Sequence, residues 1–107
     1  MPAIEKSPEI IRLRSKLGVE LLWVYVLTLL KKEPSHAYVL RKKIESEFSF
    51  TPGNVSAYVV LYKLKSRGYV TSKKNADKKV YTITAKGKAL LKEAQKVINE
   101  KENQLFD

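Results

Sequence analysis

Between Arg41 and Lys88 the sequence carries twelve basic residues against three acidic ones, Glu45, Glu47 and Asp77. Lysine and arginine at that density do one kind of chemistry well. They bind polyanions and release the counterions that phosphates condense around themselves. The rest of the 107 residues hold nine basic and eight acidic groups, so nearly all of the formal charge of +10 sits in the middle half. Bond-making chemistry has little to stand on. His36 is the single histidine and there is no cysteine, which leaves neither a thiolate metal site nor a Cys–His nucleophile pair. Glu45 and Glu47, two apart, point to different faces of a helix and make a poor acid–base pair. No glycine-rich phosphate loop or nucleophile motif is present. The expectation is a binding protein, with no catalytic residue, metal or cofactor.

Two clusters carry the binding expectation. In the stretch Asn54 to Arg67, read at about 100° per residue, Ser56, Val60, Lys63 and Arg67 fall along one line. Ala57, Leu61, Leu64 and Gly68 fall along another, roughly a quarter-turn away. The second line has the composition of a core face; the first, with a hydroxyl and two cations, that of a groove-facing one. Asn54 and Ser56 would meet base edges or phosphates, with helix capping as their alternative role. Lys63 and Arg67 would contact phosphates deeper along the helix, with a solvated face as theirs. The second cluster is Lys73, Lys74, Lys78 and Lys79, four ammonium groups around the polar turn Asn75 to Lys78. They repel one another unless solvent or a polyanion screens them. Lysines on a strand edge also keep proteins soluble, the plainer explanation.

These side chains need elements to hold them. Ser7 is a good N-cap and Pro8 a good first residue for a helix ending at Leu17, before Gly18. A second helix, Glu20 to Lys32, is apolar almost all round, the mark of burial on several sides. Pro34 ends it, Ser35 caps the next, and that helix runs from His36 to Phe48 with Tyr38, Leu40 and Ile44 set against Arg41, Lys42 and Glu45. The reading helix closes at Gly68. After it the period shortens: Tyr69 to Lys74 and Lys79 to Thr84 are rich in β-branched and aromatic residues and read as a β-hairpin. Thr84 caps a long terminal helix. The class is mainly α with a small β-hairpin: a winged helix-turn-helix with an extra N-terminal helix and a long C-terminal dimerisation helix. Three parts are expected, an arm over 1–18, the winged helix over 19–84 and the dimerisation helix over 85–107.

Length and composition fit one domain with one core. The longest apolar stretch, Leu21 to Leu30, is too short for a bilayer, which needs about 20 residues, so no membrane partner is expected. Met1 to Ser7 does not read as a signal segment. Together with the missing cysteines, this points to the cytoplasm and the nucleoid.

The chain resembles the PadR family of winged-helix transcriptional regulators over roughly Glu20 to Leu91. Leu27-Thr28-Leu29-Leu30, followed by Pro34-Ser35-His36-Ala37-Tyr38-Val39-Leu40, is similar to the family's first core helix and its Gly-Tyr-x-Leu segment. Val55 to Leu64, closing in Gly68-Tyr69-Val70, resembles its Gly-Thr-x-Tyr-Pro-x-Leu-x-x-Leu run. Tyr81 to Gly87, with Leu90 and Leu91, resembles the Tyr-x-x-Thr-x-x-Gly stretch that closes the wing. Ala37 and Val55 stand where the family usually has glycine, and Val59 where it usually has proline. The resemblance implies a dimeric repressor on a palindromic operator in double-stranded DNA, dimerising through its terminal helices. It implies further that Tyr38, Ser56 and Tyr58 lie at or near the DNA. Periodicity alone sets Tyr58 to one side, where core packing is its alternative.

A homodimer is also expected from composition. The stripe Leu90, Leu91, Ala94, Val97, Ile98 and Leu105, with Leu13 and Leu17, is more apolar surface than a monomer should expose. Trp23 and Tyr25 could line an aromatic pocket at that interface for a small hydrophobic effector, with core packing as the alternative. Two rival readings remain: an architectural protein that coats DNA with little sequence preference, and a winged-helix module that binds another protein.

Overall fold

The computed structural model describes residues 3–107, so the first two residues of the expected arm lie outside the described residues. Helix α1, Pro8–Leu17, begins where Ser7 Oγ accepts the Ile10 N–H at 3.3 Å. None of its residues is buried. Short 3₁₀ turns cover Ile4–Lys6 and Val19–Leu21, so α2 spans Leu22–Lys32, starting two residues later than the sequence predicts. It is the centre of the core, burying Leu22, Val26, Leu27, Leu29 and Leu30. Around it pack α3 (Ala37–Phe48), α4 (Asn54–Ser66), the hairpin β1 (Val70–Asn75) and β2 (Lys78–Ile83), and α5 (Ala85–Phe106). Ala37, Leu40, Ile44, Leu61, Leu64, Val70, Tyr81 and Ile83 complete the cluster.

Three local expectations are corrected. Ser35 does not cap α3; His36 holds the cap position, without a side-chain cap bond. Ser35 is buried and exchanges backbone hydrogen bonds with Tyr81, at 3.1 and 2.9 Å. Pairing buried backbone groups outweighs an exposed cap, because an unmet buried N–H or C=O costs about 1–3 kcal/mol. Asn54 and Ser56 are not caps either, since Gly53 takes that position with no side-chain bond. The turn between the strands is two residues, Ala76 and Asp77, rather than four, because Asn75 pairs with Lys78. Ala76 sits at φ 58°, in the left-handed region.

At the base of the hairpin α4, β2 and α5 are tied together. Gly68, at φ 82°, turns the chain out of α4, and Tyr69 N–H bonds back to the Leu64 carbonyl at 2.9 Å. Thr84 Oγ1 donates to the Gly68 carbonyl at 2.7 Å and accepts the Gly87 N–H at 3.0 Å. A Cβ on Gly87 would stand 2.1 Å from the Tyr69 carbonyl oxygen. Only glycine lets α5 come so close.

The far half of α5 leaves the body. Its 22 residues span about 33 Å at 1.5 Å per residue, and Gly87 is its one buried position. The radius of gyration is 15.5 Å, against about 13 Å for a compact chain of roughly this length. Thr84→Ala should lower the unfolding free energy by about 1–2 kcal/mol through the lost cap, and Gly87→Ala by about 1–3 kcal/mol through overpacking. Urea titration followed by circular dichroism measures both, and Thr84→Ser should restore most of the first loss.

Candidate nucleic-acid interface

The core face of α4 is the one the sequence names, with Ala57, Leu61 and Leu64 buried. The outward direction is less simple. The expected groove line is a flank: Val60 packs against the core, and Lys63 and Arg67 border a groove of about 540 Å³ with Trp23, Leu64, Tyr69 and Leu90. Both cations are exposed, as are Asn54 and Ser56 at the helix start. Opposite the core stand Val55, Val59 and Tyr62, at 77%, 44% and 73% exposure. Sequence reasoning passed over them because it sought polar residues on the outer face, although they fall half a turn from the buried line.

Tyr58 is 57% exposed, which removes the core alternative. It borders a concavity of about 430 Å³ whose lining also includes Tyr38 and Ala37 of α3, His36, and Lys78, Lys79 and Tyr81 of β2. Four of the expected residues, Tyr38, Tyr58, Lys78 and Lys79, thus come together between α3, α4 and the hairpin. Their placement has identifiable causes. The Ser35–Tyr81 bridge brings β2 alongside the start of α3, and His36 Nδ1 donates to the Lys79 carbonyl at 3.0 Å. Burial, with Tyr58 nearby, raises the pKa of the Tyr81 phenol. Lys42 lies 5.6 Å from the centre of the Tyr38 ring, a cation–π contact that steadies both. Arg41 Nε donates to the Pro52 carbonyl at 3.2 Å, fixing the turn into α4.

The hairpin lysines do not crowd one tip. Lys74 pairs across the strands with Lys79, on the face that carries Val70, Tyr81 and Ile83 toward the core. Lys73, opposite Val80, and Lys78, opposite Asn75, project from the other face, since alternate residues of a strand point to opposite sides. All four are exposed. Among the described residues the ion pairs are Lys16–Glu20 and Lys43–Glu33, so these lysines have no acidic partner. Lys43 is committed elsewhere: its hydrogen bond, and then its charge, holds the Glu33 carboxyl below the usual carboxylate range. Lys86 is likewise engaged, donating to the Arg67 carbonyl at 2.7 Å over the Tyr69 ring.

The dimerisation stripe divides in two. Leu90 and Leu91 pack on the chain's own core, and Trp23 does so from α2. Ala94 is half-buried, while Val97, Ile98, Leu105, Leu13 and Leu17 are exposed. The expected pairing of Trp23 with Tyr25 in one pocket is corrected. Two residues apart on α2, they face different ways. Tyr25 is enclosed by Phe48 and Phe50, with ring centroids at 4.8 and 5.0 Å, and its hydroxyl bonds the Leu17 carbonyl. Among the described residues no helix is long and apolar enough to cross a membrane.

A family model described as the transcriptional regulator PadR-like family matches residues 26–93. A transcriptional regulator from Thermoplasma acidophilum is 27% identical, with 84% of this chain and 91% of that one covered and a TM-score of 0.72. A transcriptional regulator from Clostridium thermocellum is 20% identical over 94% and 98%, with a TM-score of 0.71. A PadR family regulator from Clostridium difficile is 21% identical over 80% and 98%, with a TM-score of 0.67. No curated protein matches.

The like-charge pair gives a test that separates stability from binding. Lys79→Glu places opposite charges across the strands and should raise stability by about 0.2–1 kcal/mol. The same change should lower the salt concentration at which the protein elutes from heparin.

Proposed function

Because the chain belongs to the PadR-like family of transcriptional regulators, we propose that it is a repressor that binds a palindromic site in duplex DNA as a homodimer. The observation that carries this reading is the juxtaposition of an exposed α4 with a partnerless, lysine-rich hairpin and the concavity between them. In this reading α4 enters the major groove, as the third helix of a winged helix-turn-helix does. Asn54 and Ser56, in its first turn, meet base edges. Tyr38, Tyr58, Lys78 and Lys79 converge on one phosphate stretch. Lys73 and Lys74 follow the neighbouring backbone, and Lys63 and Arg67 take phosphates on the other flank of α4. Contacts to phosphates set register and affinity, and contacts to bases set sequence.

The homodimer is supported by apolar surface that the chain leaves uncovered. Leu13 and Leu17 on α1, and Val97, Ile98 and Leu105 on the far half of α5, are left between 45% and 71% exposed. Between α2 and α5 lies an open groove of about 650 Å³, where Val24, Thr28, Leu91 and Ile98 are accompanied by Lys31, Lys88 and Lys92. Segment 85–107 is then the dimerisation element, 19–84 the DNA-binding unit and 1–18 an arm that helps cover the seam. A small hydrophobic effector fits the groove beside Trp23 and Leu90 rather than any site at Tyr25. Such a protein works in the cytoplasm, at the nucleoid.

Light scattering should return twice the 12.3 kDa chain mass at micromolar concentration, and Ile98→Glu should reduce it to one. Gel shift against random-pool selected and scrambled duplexes should give an affinity ratio of about 10³ or more. A ratio below about tenfold would identify an architectural binder, and no shift at physiological salt a protein-binding module. Lys63→Ala or Arg67→Ala should weaken binding to every sequence and reduce the salt slope by about one. Ser56→Ala should instead change which sequence is preferred.

A further inference from the structure

Helix α4 is apolar on two sides, and only one of them is used by the fold. Ala57, Leu61 and Leu64 fill the core, while Val55 and Val59, in the first two turns, stand in solvent. An exposed valine pair gains nothing from burial and lowers helix propensity, because branching at Cβ restricts χ1. These two nonetheless stand, with Tyr62, on the side opposite the core of the element that the proposed function places in the major groove. A valine has no donor or acceptor, so it cannot read the polar edge of a base. One apolar group is displayed in the major groove of DNA, the 5-methyl of thymine.

We infer that Val55 and Val59 are specificity-determining residues that read thymine methyl groups, an inference that rests on the duplex-DNA reading above. The pair is suited to it. Their stiff side chains present fixed methyls, and one helical turn separates them by about 6 Å along the axis. Base pairs stack every 3.4 Å or so, so each half-site carries thymines one or two steps apart under the start of α4. Asn54 and Ser56, adjacent in sequence, supply the hydrogen bonds that the valines lack. Uracil offers no methyl, so the same residues set DNA apart from its RNA counterpart.

The test uses the whole protein and a duplex selected from a random pool. Each thymine is replaced singly by deoxyuridine, which removes only the methyl group, and Kd is measured at constant salt. Loss of about fourfold per buried methyl is expected at one or two positions in each half-site. With Val55→Ala the loss at one of these positions should shrink below about twofold, and with Val59→Ala the loss at the other. Both side chains are exposed, and an unchanged melting temperature confirms that the variants fold. A duplex that is selected and bound tightly, yet is indifferent to every deoxyuridine, overturns the methyl reading and leaves the DNA-binding one standing. So does a loss that persists unchanged in both alanine variants. If no duplex is enriched at all, both readings fall.

Discussion

One hydroxyl group fixes the relation between the two elements that face outward. Thr84 Oγ1 donates a hydrogen bond to the carbonyl of Gly68, where α4 has just ended, and accepts one from the amide of Gly87, where α5 begins. The Thr84 amide bonds the Tyr69 carbonyl at 3.1 Å, so the exit from α4 and the exit from the hairpin share a single knot. A two-stranded hairpin is marginal by itself in water. Here its base is held at one side by this knot and at the other by the Ser35–Tyr81 backbone pair. The angle between α4 and the strands is therefore set by backbone pairing together with the Thr84 hydroxyl. Mobile surface side chains do not decide it.

Away from this base the molecule tolerates arrangements that a stability optimum would remove. Lys74 faces Lys79 across the strands, a like-charge pair that weakens a ladder. Ala76 takes a left-handed turn conformation that costs a non-glycine residue about 1–2 kcal/mol. The outer side of α4 shows valine and tyrosine to water. The core has no comparable fault: no buried side-chain polar atom among the described residues lacks a partner. Local rules fail where function constrains a surface and hold where packing does.

Much of this fold was legible in the residues because its signals are local. Ser7 and Pro8 open α1 as read, Thr84 caps α5 as read, and the change from helical to alternating period after Gly68 marks the hairpin. What failed to show was long-range. The Ser35–Tyr81 bridge joins residues 46 apart through backbone groups that every residue possesses, so side-chain types carry no trace of it. Nor could α4 be oriented fully from its pattern. With apolar residues on two faces, the buried one was recognisable from its small and leucine-rich composition. By pattern the line with the cations reads as the outward face, whereas Trp23 and Leu90 share a groove with it on the side of α2 and α5. Tyr58 was ambiguous for a related reason: a tyrosine suits a core and a phosphate contact equally, and only its neighbours distinguish the two.

That same displacement has a mechanical consequence. Lys63 and Arg67 share their groove with Trp23 and Leu90, and Leu90 belongs to the helix whose far half stands clear of the body. The small apolar effector proposed for this groove would touch the flank of α4 directly. Packed interiors transmit such contact because they are dense and do not deform continuously. A wedge between Trp23 and Leu90 would tilt α5 against the knot at Gly87, where no spare volume exists to absorb the movement. In the proposed dimer, α4 and the hairpin, both tied to this knot, would then be displaced relative to their counterparts. Spacing between two half-sites is the quantity most sensitive to such a rotation, since the two reading helices of a dimer must lie about one turn of DNA apart.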